Sequence, residues 1–527
     1  MIYRRQLILF SVLVLLGLTG DPTRGIAAEV GAELFSNAPV RRIQITISTN
    51  GIAALRNNSR QDVSATVREG GSTFENVGVH LKGSVGSFRG IDGKPALTLS
   101  FDKVALGQRF HGLRKIHLNN SVEDPSYINE LLGSDAFNAA GVPASRVTHA
   151  VVELNGRRLG LYVLKEGFTE DFLALHFRHT SGNLYEIARD AHDVDEPMDK
   201  VLGLNPNNRG DLEALAAAAE EPDLARRWGR LQTTLDVERF LSFMALEVML
   251  GHRDGYCLAR NNFRVYHDVD SGRLVFFPHG MDVLFGNPRL PIEPRMFGLA
   301  ARAIMETPEG RRAHRARCAM LLTNVFVVKK MNERIDAAAV VLRPALLHDE
   351  VIALDLEVAA LKGRIVARAS EIERQLSEPP LELVRFTGGV AKLSGWRPFD
   401  LPEGGSLIQT ATADGKQALA IQAGPVTAAA WRSKVLLPPG RYTFEGVVST
   451  KSVAPLSFGK NHGATLRVSG VTAPRPAGLV GDQAWKTLKV PFQTTAREQE
   501  VELVCDLRAS RGTAYFAIDS LRLIREP

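Results

Sequence analysis

The clearest periodic pattern in the sequence lies between Asp236 and Gly251. Apolar residues recur there at intervals of three and four, which is typical of one buried face of an α-helix. These residues are Val237, Phe240, Leu241, Met244 and Val248. Asp236 stands where it can cap the first turn, and Gly251 stands where it can end the last one. The pattern therefore predicts a helix between these two residues.

Two short runs rich in strand-forming residues follow this helix. Asn262–Tyr266 and Arg273–Pro278 are separated by the segment DVDSG, which is typical of a turn. Because the strands of a hairpin run antiparallel, we expect Asp282 to return close to Asn262. Both residues should lie near the loop after the helix, which carries Asp254.

Two carboxylates and an amide in one place are the side chains that phosphoryl transfer requires. One carboxylate orients and deprotonates the acceptor hydroxyl, while an amide and a second carboxylate hold a divalent cation against the phosphates. The order of helix, aspartate loop, strand pair and aspartate is that of a protein-kinase lower lobe. The triplet His-Arg-Asp ending at Asp254 fits this order. A kinase loop would place its amide at Ala259, whereas the amides here are Asn261 and Asn262.

Four blocks of the sequence resemble the CotH kinase-like family, whose members are divergent relatives of the protein kinases. The first block is LKGSVGSFRGIDGKPALTLSF at 81–101, and the second is HGLRKIHLNNSVEDPSYINELLGSDAFNAAGVPASR at 111–146. The third is the hairpin VVELNGRRLGLYVLKEGF at 151–168, and the helix and hairpin of 237–286 form the fourth. The resemblance covers about residues 75–360.

The resemblance implies that ATP binds through residues of the first three blocks. Lys94 would grip the nucleotide phosphates, and Glu130 on the following helix would be its ion-pair partner. Glu166 would lie where two lobes join and contact the nucleotide. Each residue has an ordinary alternative, since a strand-start lysine, a helix glutamate and a rim glutamate are usually solvated.

The resemblance also implies roles for residues of the fourth block. Asp254 corresponds to the catalytic-loop aspartate, and Asn262 and Asp282 correspond to the ligands of Mg²⁺ or Mn²⁺. Family members commonly carry Trp-Asp-x-Asp before the final Phe/Trp-Gly, whereas positions 279–282 here are His-Gly-Met-Asp. Gly280 thus replaces an aspartate, and Asp282 is the only carboxylate left in the motif. The alternative for Asp254 and Asn262 is that they only form the loop and turn.

Other metal and hydrolase chemistries lack their motifs in this sequence. His252, His267 and His279 are close in sequence, but no His-Glu-x-x-His or Cys-x-x-Cys spacing supports a zinc hydrolase. The segment DVDSG opens like a calcium loop but lacks the ligand, glycine and glutamate that should follow. No Gly-x-Ser-x-Gly elbow occurs, so a serine hydrolase has no support.

Residues 1–28 have the pattern of a signal peptide. Arg4 and Arg5 precede an apolar run at 7–18, which is shorter than the roughly 20 residues that span a membrane. The small residues of 25–28 offer a cleavage site. We expect an exported protein of the periplasm, cell surface or exterior with no membrane span after cleavage. The alternative is an uncleaved amino-terminal anchor.

Composition indicates a folded, multidomain chain of modest charge. At 527 residues with 45% hydrophobic and 23% charged residues, it can form two or three cores. The formal charge of +6 less the +2 of residues 1–28 leaves +4, which is too small over this length to indicate nucleic acid as a partner. Three cysteines in separate regions predict no disulfide framework.

The fold class predicted for the whole chain is α+β. Residues 29–380 are predicted as a divergent two-lobed kinase-like domain, with a helical insertion at about 190–235. Residues 298–378 have the composition of three or more helices that complete a helical lobe. From residue 381 onward, short alternating runs separated by Gly and Pro predict seven or eight strands of an all-β jelly-roll sandwich.

The predicted sandwich resembles jelly-roll carbohydrate-binding modules. The blocks that carry this resemblance are LPPGRYTFEGVV, DQAWKTLKVPF and AYFAIDSLRLI. It implies a polysaccharide ligand, with Trp396, Trp431 and Trp485 as candidates to stack on sugar rings. The alternatives are that these aromatic residues form the core of the sandwich and that the sandwich is an accessory domain that docks on the kinase-like part.

Two functions are consistent with the sequence. The first is an exported, metal-dependent kinase that transfers phosphate from ATP to a protein or glycan hydroxyl. The second is a non-catalytic envelope or surface-binding protein, in which a pseudokinase serves as scaffold and the sandwich binds glycan. The substitution at Gly280 favours the second, and the presence of Lys94, Glu130, Asp254, Asn262 and Asp282 favours the first.

Overall fold

The structure is a computed structural model of the chain that describes residues 30–36, 39–84, 86–187, 192–379, 381–495 and 499–527. The predicted signal peptide lies outside the described residues. These residues fold into two compact units, one built mainly from residues up to 372 and the other mainly from residues 373–527. None of the helices in the described ranges combines the length and apolarity that crossing a membrane requires.

The first unit begins with a closed barrel of seven strands. In chain order they are β1 Arg41–Ile47, β2 Val63–Glu69, β3 Ser72–Lys82, β4 Ala96–Ser100, β5 Lys115–Asn119, β6 Val147–Leu154 and β7 Arg157–Glu166. Alternate residues of a strand face opposite sides, so Ile43, Ile45 and Ile47 of β1 all enter the barrel core. Neighbours pair antiparallel except at the seam, where β1 runs parallel to β6.

A second, four-stranded sheet follows in the first unit, in the order β11-β10-β8-β9. Its strands are β8 Leu184–Glu186, β9 Asp199–Leu202, β10 Phe263–Asp268 and β11 Arg273–Pro278. The predicted hairpin is confirmed, because Phe263 pairs with Pro278 and Asp268 with Arg273. The first strand starts one residue later than predicted because Asn262 has a left-handed backbone, with φ of 48°.

Twelve α-helices occur in the described part of the chain. They are α1 Ala32–Phe35, α2 Thr49–Asn57, α3 Asn129–Ala139, α4 Glu170–His176, α5 Gly210–Ala219, α6 Leu224–Thr234, α7 Val237–Met249, α8 Tyr256–Ala259, α9 Leu299–Glu306, α10 Pro308–Asn324, α11 Val328–Leu342 and α12 His348–Ser377. The predicted insertion at 190–235 contains α5 and α6, but it also contributes the strand β9 to the second sheet.

Helix α7 has the boundaries that its sequence predicts. The Asp236 side chain accepts a hydrogen bond from the Arg239 amide at 3.1 Å, which satisfies one of the free donors of the first turn. Gly251, with φ of 68°, takes the left-handed conformation that ends a helix. Phe240 and every later residue of the helix are buried, so α7 lies within the core of the first unit.

The strands of the second unit form a β-sandwich of two sheets. Its strands are β12 Val390–Lys392, β13 Arg397–Phe399, β14 Ser406–Ala413, β15 Lys416–Gln422, β16 Thr427–Leu437, β17 Gly440–Ala454, β18 Gly463–Ser469, β19 Gly481–Thr494, β20 Gln499–Ala509, β21 Arg511–Ala517 and β22 Arg522–Arg525. One sheet has the order β13-β16-β20-β18, and the other has the order β12-β22-β17-β21-β15-β14 with β19 paired to β17.

Two of the three tryptophans proposed to stack on sugars are core residues. Trp396 is 6% exposed and Trp431 is 2% exposed, and the Trp431 indole donates to the carbonyl oxygen of Ala420 at 3.1 Å. Neither ring can stack on a ligand, so the sugar-stacking prediction is wrong for both residues. Trp485 is partly exposed on β19.

Candidate functional site

The loop after α7 brings Asp254 next to the two amides that precede β10. The Oδ2 atom of Asp254 accepts from the Nδ2 atom of Asn262 at 2.7 Å and from that of Asn261 at 3.0 Å. Asp254 is exposed to solvent. The hairpin geometry therefore places Asp254 and Asn262 together, as the sequence predicts, with the second carboxylate oxygen of Asp254 left for another partner.

Gly280, where the family resemblance implies an aspartate, lies directly against the Asn262 side chain. A Cβ atom added to Gly280 would lie 2.5 Å from the Oδ1 atom and 2.8 Å from the Nδ2 atom of Asn262. A carbon atom does not approach a nonbonded oxygen or nitrogen atom so closely. Gly280 also has a left-handed backbone, with φ of 56°. Any side chain at position 280 would require Asn262 to move.

His252 connects the Asp254 loop to the segment that leads to Asp282. Its Nε2 atom donates to the carbonyl oxygen of Gly280 at 3.0 Å. The buried Glu247 carboxylate lies beside its ring and accepts from the backbone amides of Tyr256 and Cys257 at 3.0 and 2.7 Å. Burial opposes a charge on His252, but hydrogen bonding and the charge of Glu247 outweigh it and raise the pKa of this histidine.

Glu130 on α3 forms a buried ion pair with Lys165 on β7. The Lys165 Nζ atom donates to Glu130 Oε2 at 2.5 Å, and both side chains are 1% exposed. The other oxygen, Oε1, accepts from Asn119 Nδ2 at 3.0 Å. Glu130 is therefore an interior anchor of α3.

The predicted pairing of Lys94 with Glu130 is wrong. The Lys94 Nζ atom donates to the Tyr127 hydroxyl at 3.0 Å and lies 5.0 and 5.2 Å from the ring centroids of Tyr127 and Tyr162. Lys94 precedes β4 in a loop, so it is not carried on a barrel strand. Its predicted contact with nucleotide stays a prediction.

Glu166 lies next to Lys165 in sequence but has a different partner. Arg146 binds it with two hydrogen bonds, from Nε to Oε2 at 2.8 Å and from Nη2 to Oε1 at 2.7 Å. Burial raises the pKa of Glu166, although Arg146 opposes this effect. Both oxygens of Glu166 are thus occupied, and the predicted nucleotide contact is left to be tested.

Lys82, at the end of β3, is a site residue that the sequence analysis missed. Its Nζ atom donates to Asn119 Oδ1 at 2.7 Å, and Asn119 also contacts Glu130. Burial, reinforced by the charge of Lys165, lowers the pKa of Lys82 to about 7, while Glu130 and Asp282 oppose this shift. Lys82 is the second residue of the sequence block at 81–101. A search of that block for a lysine at the end of a strand would have found it.

Asp282 lies beside the amino-terminal end of α3. Its backbone carbonyl oxygen accepts from Asn129 Nδ2 at 2.8 Å. Burial, reinforced by the charge of Glu130, raises the pKa of Asp282 to about 6. A partly buried carboxylate in this setting is stabilised by a bound cation.

The donors around Asp282 fit a hard divalent cation. The Oδ1 atom of Asn129 is buried and finds no hydrogen-bond partner in the described part of the chain. Within that same part, no group of three or more His, Cys, Asp or Glu residues forms a preassembled metal site. Mg²⁺ suits such a sparse oxygen set, because it retains several waters and binds one or two carboxylates together with substrate phosphates. Asp282 and Asn262 would hold it, although the structure gives no contact between these two side chains.

A cavity of about 260 Å³ lies between the barrel and the second sheet. Lys115, His117 and Arg264 line it together with apolar residues and three carboxylates, and Arg264 pairs with one of these, Glu186, at 2.8 Å. Burial lowers the pKa of His117 well below its usual value, and the nearby charges of Lys82, Lys115 and Lys165 add to this effect. Neither Lys82 nor Lys165 is among the described residues that line the cavity, although His117 is the cross-strand neighbour of Lys165.

Comparison with known proteins finds relatives and a solved structure that are each similar to part of this chain. Inner spore coat protein H of Bacillus subtilis is 23% identical over 267 residues, which are 47% of this chain and 73% of that protein. The invasin CotH2 of Rhizopus delemar is 27% identical over 202 residues, which are 34% of this chain and 33% of the invasin. The chain thus spans about a third of the invasin's length.

A solved structure of a carbohydrate-binding module in complex with β-1,4-galactotriose is 14% identical, covers 26% of this chain and 91% of the module, and has a TM-score of 0.20. A TM-score of this size does not establish a shared ligand.

The family comparison is far more extensive. The sequence matches the family described as CotH kinase protein over residues 79–375, more than half of its length. The chain therefore belongs to the CotH kinase protein family.

Proposed function

We propose that this protein is a metal-dependent phosphotransferase that moves the terminal phosphate of ATP to a hydroxyl group of a protein or glycan. One observation carries the proposal: the buried Lys165–Glu130 pair shares Asn119 with Lys82, and the charge of Glu130 acts on both Lys82 and Asp282, so these four side chains form one charged cluster. In protein kinases, an ion pair between a strand lysine and a helix glutamate aligns the nucleotide phosphates next to a metal-binding aspartate. The same types of residue on the same types of element support that chemistry here.

Each group in the cluster has a distinct role in this proposal. Lys82 and Lys165 neutralise phosphate oxygens, and Glu130 holds Lys165 in position. Asp282 and Asn262 hold Mg²⁺ or Mn²⁺, which when bound screens the charge of the phosphates. Lys94 and Glu166 become peripheral, because Tyr127 and Arg146 already engage their side chains.

Asp254 is the proposed base that orients the acceptor hydroxyl. It is exposed, and two amides fix one of its oxygens. The free oxygen can accept the hydroxyl proton as the phosphate is transferred. In this arrangement the barrel and the helix-rich remainder of the first unit would act as the two lobes of a kinase, with the cavity between them.

We infer that the protein acts outside the cytoplasm. The pattern of residues 1–28 is that of a signal peptide, and the names of two relatives, a spore coat protein and an invasin, indicate surface roles for those proteins.

The rival proposal is a non-catalytic scaffold, and Gly280 is the observation that favours it. The decisive experiment is incubation of the purified protein with γ-labelled ATP and Mn²⁺, comparing the parent with Asp282→Asn. We expect labelling of the parent and loss of most of the label in the variant. A matched control is Asp414→Asn, which changes an exposed turn residue of the sandwich and should label like the parent.

Absence of labelling together with absence of metal-dependent nucleotide binding would favour the scaffold. Equal labelling of the parent and Asp282→Asn would exclude the metal role of Asp282. Nucleotide binding can be measured separately with a non-hydrolysable ATP analogue, so a missing acceptor is not confused with a missing nucleotide site.

A further inference from the structure

The outer face of the four-stranded sheet in the sandwich carries a concentration of arginine. Leu503, Cys505 and Leu507 of β20 enter the core of the sandwich. Because strand residues alternate, Asp506 and Arg508 point to the opposite face. Thr465 of β18 pairs with Asp506, which places Arg467 and Arg475 within reach of the same carboxylate.

Two arginines converge on this single aspartate, and a third arginine lies on the same face of β20. Arg475 Nη2 donates to Asp506 Oδ2 at 2.7 Å, and Arg467 Nε lies 3.6 Å from the same oxygen. Arg508 is the next residue of β20 on the same face as Asp506, and its Nη1 atom donates to the backbone oxygen of Lys460 at 3.5 Å. The group thus has three positive charges and one negative charge, a surplus of two. We call Arg467, Arg475, Arg508 and Asp506 the arginine cluster.

The arginine cluster is poorly satisfied by the protein itself. Each guanidinium has five N–H donors, and the Nε atoms of all three arginines are buried with no acceptor in the described part of the chain. Burial lowers the pKa of Arg475, the charge of Asp506 opposes this shift, and the charges of Arg467 and Arg508 add to it. One carboxylate among three guanidinium groups leaves their like charges incompletely balanced.

The arginine cluster is also accessible to a ligand. The side chains of Arg467 and Arg475 are 28% and 26% exposed, although Asp506 is 8% exposed. The guanidinium groups therefore reach the surface, while the carboxylate that they surround does not. A planar guanidinium fork matches the geometry of carboxylate, phosphate and sulfate oxygens.

An exposed aromatic ring lies on the same face. Phe399 of β13 is 40% exposed and pairs across to Ala430 of β16, which in turn pairs with Asp506. Two strand spacings separate Phe399 from Asp506, or about 10 Å. The Arg432 guanidinium lies 3.3 Å from the centre of the Phe399 ring. The guanidinium covers one face of the ring, so a sugar ring can pack only against the part of Phe399 that stays exposed, while its charged substituent reaches the arginines.

We propose that this face binds an anionic carbohydrate chain, with acidic substituents on the arginine cluster and a sugar ring against Phe399. The ligand class is defined by repeated anionic groups on a glycan, whether carboxylate, phosphate or sulfate. The proposal is independent of the phosphotransferase activity, because none of its residues belongs to the first unit. A neutral glycan would leave the surplus charge of the cluster unpaired.

The test is binding of the full-length protein to polygalacturonate, poly(glycerol phosphate) and chondroitin sulfate, with neutral β-1,4-galactan and single-stranded DNA as comparisons. We expect at least one anionic glycan to bind, with affinity that falls as salt concentration rises. The variant Arg467→Gln/Arg508→Gln should weaken that binding at least tenfold. Lys416→Gln/Arg511→Gln is the matched control, since it removes the same charge from exposed positions on the other sheet and should bind like the parent.

Several results would overturn the proposal. These are a failure to bind any anionic glycan, equal binding by the two double variants, and binding of DNA as tight as that of the glycans. Thermal unfolding of both variants, followed by circular dichroism, identifies loss of folding. If Arg467→Gln/Arg508→Gln unfolds, Phe399→Ala provides a second measurement, and unchanged glycan affinity in that variant would contradict the assigned surface. Labelling with γ-labelled ATP reports on the first unit separately.

Discussion

The Asn262 side chain occupies the space into which a Cβ atom on Gly280 would project, at 2.5 Å from Asn262 Oδ1. Asn262, whose amide is proposed to bind metal, and Gly280 are therefore structurally dependent on each other. Gly280 allows Asn262 to reach Asp254 and donate its hydrogen bond of 2.7 Å. The substitution at position 280 is thus accommodated by the local packing of this chain.

We expect Gly280→Ala to reduce phosphotransfer by roughly 100-fold, because small displacements of a positioned group carry penalties of that size. The left-handed backbone adds a stability cost of about 1 kcal/mol. The control is Gly272→Ala, where φ is 66° and no atom lies within 4 Å of an added Cβ. Gly272→Ala should lower the free energy of unfolding as much as Gly280→Ala does, as measured with denaturant. It should keep its phosphotransfer activity, as measured by labelling. Similar activity in both variants would contradict the dependence of Asn262 on Gly280.

Replacing Glu130 by Gln should destabilise the first unit by about 3 kcal/mol, because it leaves the Lys165 charge buried and unpaired. Urea unfolding measures the change. Glu350→Gln is the control, since its partner Arg158 lies at 3.2 Å and both side chains are 39% exposed. We expect that change to cost less than about 1 kcal/mol. The double variant Glu130→Leu/Lys165→Met should regain stability but not nucleotide binding.

Lys82 and Lys94 can be distinguished by nucleotide affinity. We expect Lys82→Met to weaken binding of a non-hydrolysable ATP analogue at least tenfold, since one phosphate-facing charge is lost from the cluster. Lys94→Met should leave the affinity within about twofold, because the Lys94 amine is held by Tyr127. Isothermal titration calorimetry gives both values. If Lys94→Met weakens nucleotide binding more than Lys82→Met does, Lys94 is the lysine that binds the phosphates, as the sequence analysis predicts.

Nucleotide affinity should fall as the pH rises above 7. Burial lowers the pKa of Lys82 to about 7, so this lysine is charged below that pH and becomes neutral above it in the free protein. Phosphate binding requires the charged form, and the affinity should weaken by up to about tenfold per pH unit between pH 7 and 9. Lys82→Arg keeps its charge over this range and should flatten the profile. An unchanged slope in that variant would assign the pH dependence to another group.

Asp254→Asn should separate chemistry from binding. Loss of a general base lowers rates by about 10²- to 10⁴-fold, and an exposed substitution should change stability by less than about 0.5 kcal/mol. Metal-dependent nucleotide binding should persist in this variant and disappear in Asp282→Asn. Loss of binding in both variants would place Asp254 among the metal ligands.

Local signals account for the parts of the site that could be predicted. Asp236 and Gly251 mark the ends of α7, and the hairpin that follows has its turn and strands within 20 residues of sequence. These signals depend on a residue and its near neighbours, so they can be read without the fold. The approach of Asn262 to Asp254 follows from them.

The barrel residues of the site could not be assigned so directly. Lys165 and Glu166 are adjacent, and which of them faces Glu130 depends on strand register, since a shift of one residue exchanges the two faces. The choice between Lys82 and Lys94 likewise depends on where β3 ends and where the loop before β4 runs. Both questions are decided by pairing between distant strands.

The parallel seam of the barrel affects how the protein reaches its folded state. Arg41 of β1 pairs with Ala150 of β6, so the ring cannot close until more than a hundred intervening residues are available. Such nonlocal pairing slows folding relative to local contacts. A chain that emerges gradually from a ribosome or a translocation channel would keep β1 unpaired until β6 appears, and chaperone protection during that interval would favour correct closure.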